Sequence, residues 1–415
     1  MEGVSHATAG TMASPRQLFW KRMVVSRVRA LTNGELVLID ESGEIRVGQP
    51  AEDGLVVRLT IHRDRLWRRV AFGGLLAATE AYVDGDWDAD DLTGLARLFA
   101  RNIDQVTRLD SGLGRAIRPL AALRHALARN SRAGARRNIS AHYDLGNDFF
   151  ELMLDPTMTY SCGVFESADT TMEEASLAKI DRLCRKLGLG AGDHLLEIGS
   201  GWGGFAIRAA SRYGCRVTTT TISRQQFEMA TERVARAGLS DRVSVLLADY
   251  RDLRGRYNKL VSVEMIEAVG AEYYEAFFRT CADRLDANGV MALQAITVAD
   301  QRFEEARRAP DFIKAHVFPG SCIPSVGALT TAATRATDLR MVDLEDLTPH
   351  YARTLAEWCR SLDRNVESVS RITTERFRRL WRLYLTYCEG GFAERHTGLV
   401  QLVYARPEWR GAIGR

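Results

Sequence analysis

Between residues 194 and 298 the chain alternates two kinds of segment. "HLLEIG", "CRVTTTTIS", "VSVLLAD", "KLVSVEMI" and "VMALQAIT" are short apolar or β-branched runs. "FAIRAASRYG" and "QQFEMATERVARAG" lie between them, carry helical spacing and end at glycine. Short runs of the first kind suit buried strands, and a glycine closes a helix. Strands separated by helices pair in parallel, because a crossover is what returns the chain to the same edge. The expected class is therefore α/β, with a doubly wound, mostly parallel sheet in a domain spanning 139–415. Its ligand should lie beyond the carboxyl ends of the strands, near the first turn.

That first turn is "EIGSGWGG", residues 197–204. Gly199, Gly201 and Gly203 let the backbone pass close to a bound molecule. A dinucleotide site would add an acid about 20 residues on, for the ribose. The second strand ends "TTTTIS", with no acid. Instead Glu197 stands inside the first strand, before the glycines, where it suits a ligand carrying positive charge. S-adenosylmethionine, with cationic sulfonium and amino groups and no pyrophosphate, fits this pattern better than a dinucleotide. Asp249 in "LLADY" stands at a third strand end, where an adenine could be read.

The rest of the chain sets limits. It has 415 residues, 46% of them hydrophobic and 26% charged, enough for two domains with cores. A net charge of +3 excludes polyelectrolyte character, so attraction to an anionic surface must be local. The seven cysteines are scattered, with no CxxC pair, so neither a zinc site nor a disulfide framework is expected. No signal-peptide core and no spanning run occurs, which suggests a cytoplasmic protein that meets a membrane from the side. Residues 1–18 read as disordered. Residues 19–112 read as a small α+β domain, with strands within 35–62 and a helix capped by Asp90 or Asp91. Residues 113–138 hold seven arginines and no acid, with Leu113, Ile117, Leu120, Leu123 and Leu127 at helical spacing. Two readings stay open for this segment: a solvated linker helix, or a surface for anionic lipid. Its lack of aromatic residues argues against nucleic acid.

Seven motifs then carry a resemblance. They are "HYDLGNDFFELMLDPTMTYSCGVF" (142–165), "EIGSGWGG", "TISRQQ" (221–226), "DYRDL" (249–253), "SVEMIEAVG" (262–270), "FIKAHVFPGSCIPS" (312–325) and "YLTYCEGGF" (384–392). In this order the chain resembles the cyclopropane-fatty-acyl-phospholipid synthase and mycolic acid cyclopropane synthase family of S-adenosylmethionine-dependent methyltransferases. "ATEAYVDGDWDADDL" (78–92) also resembles the N-terminal domain of the phospholipid enzymes, a domain that the shorter mycolate enzymes lack. The resemblance implies a Rossmann-like sheet, S-adenosylmethionine as methyl donor and an unsaturated phospholipid at the inner membrane face as substrate. It also leaves room for a homodimer. The family reaction puts a methyl on a cis double bond and makes a carbocation, which then loses a proton. A cyclopropane chain is the expected product, and a methylene branch is the alternative. A non-catalytic lipid-surface protein that binds the cofactor is the remote reading.

The resemblance assigns residues too. Tyr160 and Ser161 match a cofactor-contacting pair. Thr221, Ser223 and Gln226 match the ribose-holding motif, and Asp249 and Tyr250 match the segment flanking adenine. In the family the base is thought to be a bicarbonate held by a Cys, a Glu, a Tyr and a His, with main-chain help. Cys162, Glu267 and Tyr384 match the first three, while Glu264 has no match and reads as structural. Cys388 matches a cysteine once taken for a nucleophile and reads as packing near the site. His142 and Asp144 open the domain, in a capping, lid or catalytic role. Two departures stand out: Gln294 replaces the His of a "LHTI" pattern, and Ala268 replaces the His of "EHVG". Gln cannot titrate but can still donate, so methyl transfer carries over and ring closure stays open.

Overall fold

The computed structural model describes residues 15–105, 146–309 and 311–414. The basic segment 113–138, His142 and Asp144 lie outside these residues. The chain forms two compact units, Met1–Pro119 and Leu120–Arg415.

In the first unit a helix begins at Pro15, inside the stretch expected to be disordered: α1 (Pro15–Val28). Strands β1 (Gly34–Asp40), β2 (Gly43–Gln49) and β3 (Val56–Ile61) follow, then α2 (Arg65–Val83), β4 (Trp87–Ala89) and α3 (Leu92–Arg101). The sheet order is β2-β1-β3-β4. Asp91 caps α3 by accepting from the Gly94 N–H at 2.8 Å. Asp86 is fully buried. It accepts from Arg65 at 2.6 Å and from Arg69 at 2.9 Å, which ties the end of α2 to its beginning.

The second unit opens with α4 (Asn147–Met153) and α5 (Met172–Leu187). Then come β5 (His194–Ile198), α6 (Gly204–Tyr213), β6 (Arg216–Thr221), α7 (Arg224–Arg236), β7 (Val243–Leu247), β8 (Tyr257–Val263), α8 (Tyr274–Arg284) and β9 (Leu285–Val298). Three helices follow, α9 (Asp300–Arg308), α10 (Phe312–His316) and α11 (Val326–Ala336), before β10 (Arg340–Asp346). The chain ends with α12 (Thr348–Arg364), α13 (Val366–Ile372), α14 (Glu375–Ala393) and β11 (Thr397–Ala405).

The seven-stranded order is β10-β11-β9-β8-β5-β6-β7. The five strands β5 to β9 run parallel to one another, as the alternation predicts. The two strands β10 and β11 were not expected, and both pairings they make are antiparallel. The edge strand β10 leaves Met341, Val342 and Leu344 exposed, so it lacks the apolar signature of a buried strand. Adjacent residues serve opposite faces. Leu196, Leu260, Leu293 and Leu402 pack with Phe277 and Phe278 of α8. Leu195, Val261, Ala292 and Val403 pack with Ile180 of α5 and Phe205 of α6.

The strand order reverses at β5, which lies between β8 and β6. The crevice at the carboxyl ends of β5 and β8 is therefore the topological switch point. The helices α12 and α14, inserted between β10 and β11, pack on each other and bring side chains to that crevice.

Candidate functional site

Two groups of residues meet at the switch point. The first is a cradle at the ends of β5 and β6. The Gly199 and Ser200 N–H groups donate to the Thr220 carbonyl at 3.0 and 2.9 Å, which pins the turn. Gly199, Gly201 and Gly203 all have positive φ (99°, 48° and 85°), a region costly for residues with a Cβ. A Cβ on Gly201 would meet nothing within 4 Å, so this side of the turn is open. Thr221 donates to Gln226 Oε1 at 2.8 Å, leaving the amide nitrogen as the end free to donate. Ser223 caps α7 through the Gln226 N–H at 3.3 Å.

Glu197 lies under the turn, 2% exposed. One of its carboxylate oxygens is buried without a hydrogen-bond partner. Burial pushes its pKa up to about 8, against the pull of the Thr219 hydroxyl and the Lys179 ammonium. An orphaned acid beneath an open glycine turn is what a cationic ligand would complete. At the next strand end Asp249 is occupied: Arg251 donates to its two oxygens at 2.8 and 2.7 Å. Tyr250 packs edge-on against Phe277, with ring centroids 5.6 Å apart.

The second group surrounds Glu264 at the end of β8. Its Oε1 accepts from the Cys162 main-chain N–H at 3.0 Å and from Gln294 Nε2 at 2.7 Å. Its Oε2 accepts from the Tyr351 hydroxyl at 2.5 Å. Gln294 is fixed in turn, because Gln401 donates to its Oε1 at 2.9 Å. Burial raises the Glu264 pKa, and these three donors with Lys179 oppose the rise. Glu267, one turn on, accepts the Ile296 N–H at 2.6 Å, and its Oε2 is buried without a partner. Burial, then the charge of Glu264, lifts its pKa to about 8. Two close carboxyls favour one proton between them. Glu264, with three donors against one, is the better placed of the two to hold the charge, and Glu267 the better placed to hold the proton.

The segment after α4 joins the two groups. Ser161 accepts from Lys179 Nζ at 2.8 Å, both side chains being buried. Tyr160 and Tyr384 share a hydrogen bond between hydroxyls at 2.8 Å. Trp358 lies 5.1 Å from the Tyr160 ring. Cys162 is fully buried, and burial holds its thiol neutral, so what it offers the site is its main-chain N–H. Arg233 of α7 clamps this segment to the turn by donating to the Thr157 and Trp202 carbonyls at 3.1 and 2.8 Å.

The "Mycolic acid cyclopropane synthetase" family description matches residues 130–402. The chain belongs to this family. It is 39% identical over 365 residues to the tuberculostearic acid methyltransferase UfaA1 of Mycobacterium tuberculosis, covering 86% of this chain and 85% of the relative. It is 34% identical over 342 residues to the cyclopropane-fatty-acyl-phospholipid synthase of Escherichia coli strain K12, covering 82% and 85%. The crystal structure of the mycolic acid cyclopropane synthase CmaA1 with S-adenosylhomocysteine superposes at TM-score 0.62 and 34% identity, covering 65% of this chain and 98% of that one. This synthetase-family chain is thus an S-adenosylmethionine-dependent C-methyltransferase that modifies lipid.

The cradle fits the cofactor on its own geometry, through the open glycine turn, the donor end of Gln226 and the orphaned Glu197. The family's bicarbonate does not fit in the same way. Two groups expected to help hold it, the Cys162 segment and the side chain at position 294, already donate to Glu264. Glu264, which the motif match left as structural, is therefore the best-connected acid of the site. Cys388 lies one turn beyond Tyr384 on α14, where Asp311 and Cys359 are the titratable groups acting on it. Desolvation pushes its thiol pKa up, which favours the neutral form over the thiolate that a nucleophile needs.

Sequence reading missed Lys179, Tyr351, Thr354 and Trp358. Each had a faint signal. Lys179 interrupts an inward stripe of Ala175, Lys179 and Leu183 on α5. Tyr351, Thr354 and Trp358 recur at helical spacing on α12. Thr354 accepts from the Gly163 N–H at 3.1 Å and steadies the Cys162 segment.

Proposed function

We propose that this enzyme methylates a cis double bond in an unsaturated acyl chain of a membrane phospholipid, and that the product is a methylene-branched chain. The phospholipid reading is supported by the span of the similarities. The match to the E. coli phospholipid enzyme covers 82% of this chain, whereas the match to cyclopropane mycolic acid synthase 1 of M. tuberculosis covers 60%. Among the described residues no helix is long and apolar enough to cross a membrane. We assign the acyl chain to a membrane surface, at the cytoplasmic face, on the likeness to the E. coli phospholipid enzyme.

The bound cofactor supplies an electrophilic methyl group. The protein's own part is to orient the alkene, exclude water and tolerate the cation. The faces of Tyr160, Trp358 and Tyr384 suit positive charge. Their close packing suits water exclusion.

The observation that carries the choice of product is Gln294. A side chain that cannot titrate stands at the family's His position, and its amide is committed to Glu264. A cation not deprotonated at once can undergo a hydride shift that moves the charge to the methyl-bearing carbon. Proton loss from the methyl then gives a methylene branch. The name of the relative UfaA1, a tuberculostearic acid methyltransferase, agrees with a branched outcome. A cyclopropane remains the second reading, on the likeness to the E. coli synthase.

Lipid analysis of an expressing host tests this. The acyl chains should gain one carbon, and ozonolysis should convert the modified chain to a mid-chain ketone. A modified chain that survives ozonolysis with its added carbon and is two hydrogens lighter than the saturated methyl-branched chain is a cyclopropane and overturns the product assignment.

A further inference from the structure

Glu264 carries more than a structural role would need. It is one of four non-glycine residues among those described with positive φ, at 47°. Such a backbone costs about 1 kcal/mol or more, and it persists where the surroundings dictate it. Here it turns the chain at the end of β8 so that the carboxylate points back under the Cys162 segment. Its own N–H is satisfied by the Gln294 carbonyl at 2.8 Å, so residue 294 fixes both ends of Glu264.

A carboxylate has about four lone-pair sites. Oε1 accepts from Cys162 and Gln294 and is filled. Oε2 accepts from Tyr351. One lone pair, on Oε2, is left. The arrangement is a carboxylate of the chain, held by the kind of donors that would hold a free bicarbonate.

We propose that Glu264 is the proton acceptor of this enzyme and takes the place of the family's bound bicarbonate. The proposal rests on the methyl-transfer reading given above. After the hydride shift, the C–H electron pair of the transferred methyl becomes the π bond between that carbon and the chain carbon that bears it, which neutralises the cation. The proton goes to Glu264 Oε2, and the resulting carboxylic acid returns it to water when the product leaves. Gln294 and Gln401 are positioning residues. A neutral amide at 294 donates to Glu264 without competing for the proton, which an imidazole there would do. Glu267, already holding a proton, does not compete for it either.

Two measurements test this. The first needs no turnover: binding of ¹³C-bicarbonate, followed by NMR line broadening. The wild-type protein should show none at millimolar concentration. E264G, which opens a carboxylate-sized space and relieves the positive φ, should bind it. Bicarbonate binding by the wild type overturns the proposal, whatever the substrate proves to be. The second is methyl transfer to vesicles of dioleoyl phosphatidylglycerol and phosphatidylethanolamine in CO₂-depleted buffer. The wild type should keep full activity, and E264Q should lose about 100-fold or more, the usual worth of a general base. Binding of S-adenosylhomocysteine shows whether each variant still folds. Formate or bicarbonate should restore E264G at least about tenfold, which a merely structural role would not allow. Wild-type dependence on bicarbonate, activity of E264Q within about threefold of wild type, or no rescue of a cofactor-binding E264G each overturn the proposal. An inert wild type that binds no bicarbonate would instead refute the substrate reading.

Discussion

Glu197→Gln isolates the charge beneath the cofactor cradle. Burial lifts the wild-type carboxyl to about 8. At pH 7 roughly nine-tenths of the free enzyme therefore carries the acid form. A cationic ligand favours the carboxylate, so binding S-adenosylmethionine should release about 0.9 proton at pH 7. Below pH 8 each unit of acidification should weaken binding about tenfold, since ionising the acid costs about 1.4 kcal/mol per unit. The variant should release no proton and show a flat profile. A charge-assisted contact is worth about 1.5–3 kcal/mol, so its deficit should grow from little near pH 6 to about 10- to 100-fold at pH 8.5. Calorimetry in two buffers of different ionisation heat measures the proton count. Release below about 0.3 proton, or the same pH slope in the variant, would refute the reasoning. The free enzyme adds a second check. The folded pKa of about 8 lies above the ordinary 4.5, so the folded state keeps a proton that the unfolded chain has lost. Stability should thus fall as pH rises from about 4.5 to 8 and level off above, and Glu197→Gln should lessen that fall.

Three further outcomes are expected. Gly204→Ala would put a Cβ 2.5 Å from the Thr157 carbonyl, which Arg233 holds in place. The segment bearing Tyr160, Ser161 and Cys162 must then shift, and kcat/KM should drop about tenfold or more, against about 1–3 kcal/mol of lost stability; unchanged kinetics would show that the segment is not fixed by that contact. Gln294→His should move product towards cyclopropane, as read by ozonolysis of the extracted lipids, and an unchanged product ratio would remove residue 294 from product choice. Asp86→Ala leaves Arg65 and Arg69 without their shared acid and should cost about 2–3 kcal/mol in the unfolding of the first unit; a loss under about 0.5 kcal/mol would mean that solvent replaces the pair.

The sequence by itself determined the parallel sheet, the crevice and the cradle. These follow from local signals: runs of β-branched residues, glycines at the turn and an acid two residues before them. Residues 340–346 escaped because an exposed edge strand keeps no apolar signature; residues 397–405 carry a buried apolar run, but nothing local shows that it returns antiparallel to the sheet. The surroundings of Glu264 were legible in part. Cys162, Glu267, Tyr384 and Gln294 were found by their motifs. Glu264 was seen and set aside, because nothing local separates it from Glu267 three residues later. Only the tertiary structure separates them. Tyr351 reaches Glu264 from 87 residues away, and Gln401 orients Gln294 from 107. A buried carboxylate takes its charge state from the donors around it, and those donors come from strands and helices that meet only after folding.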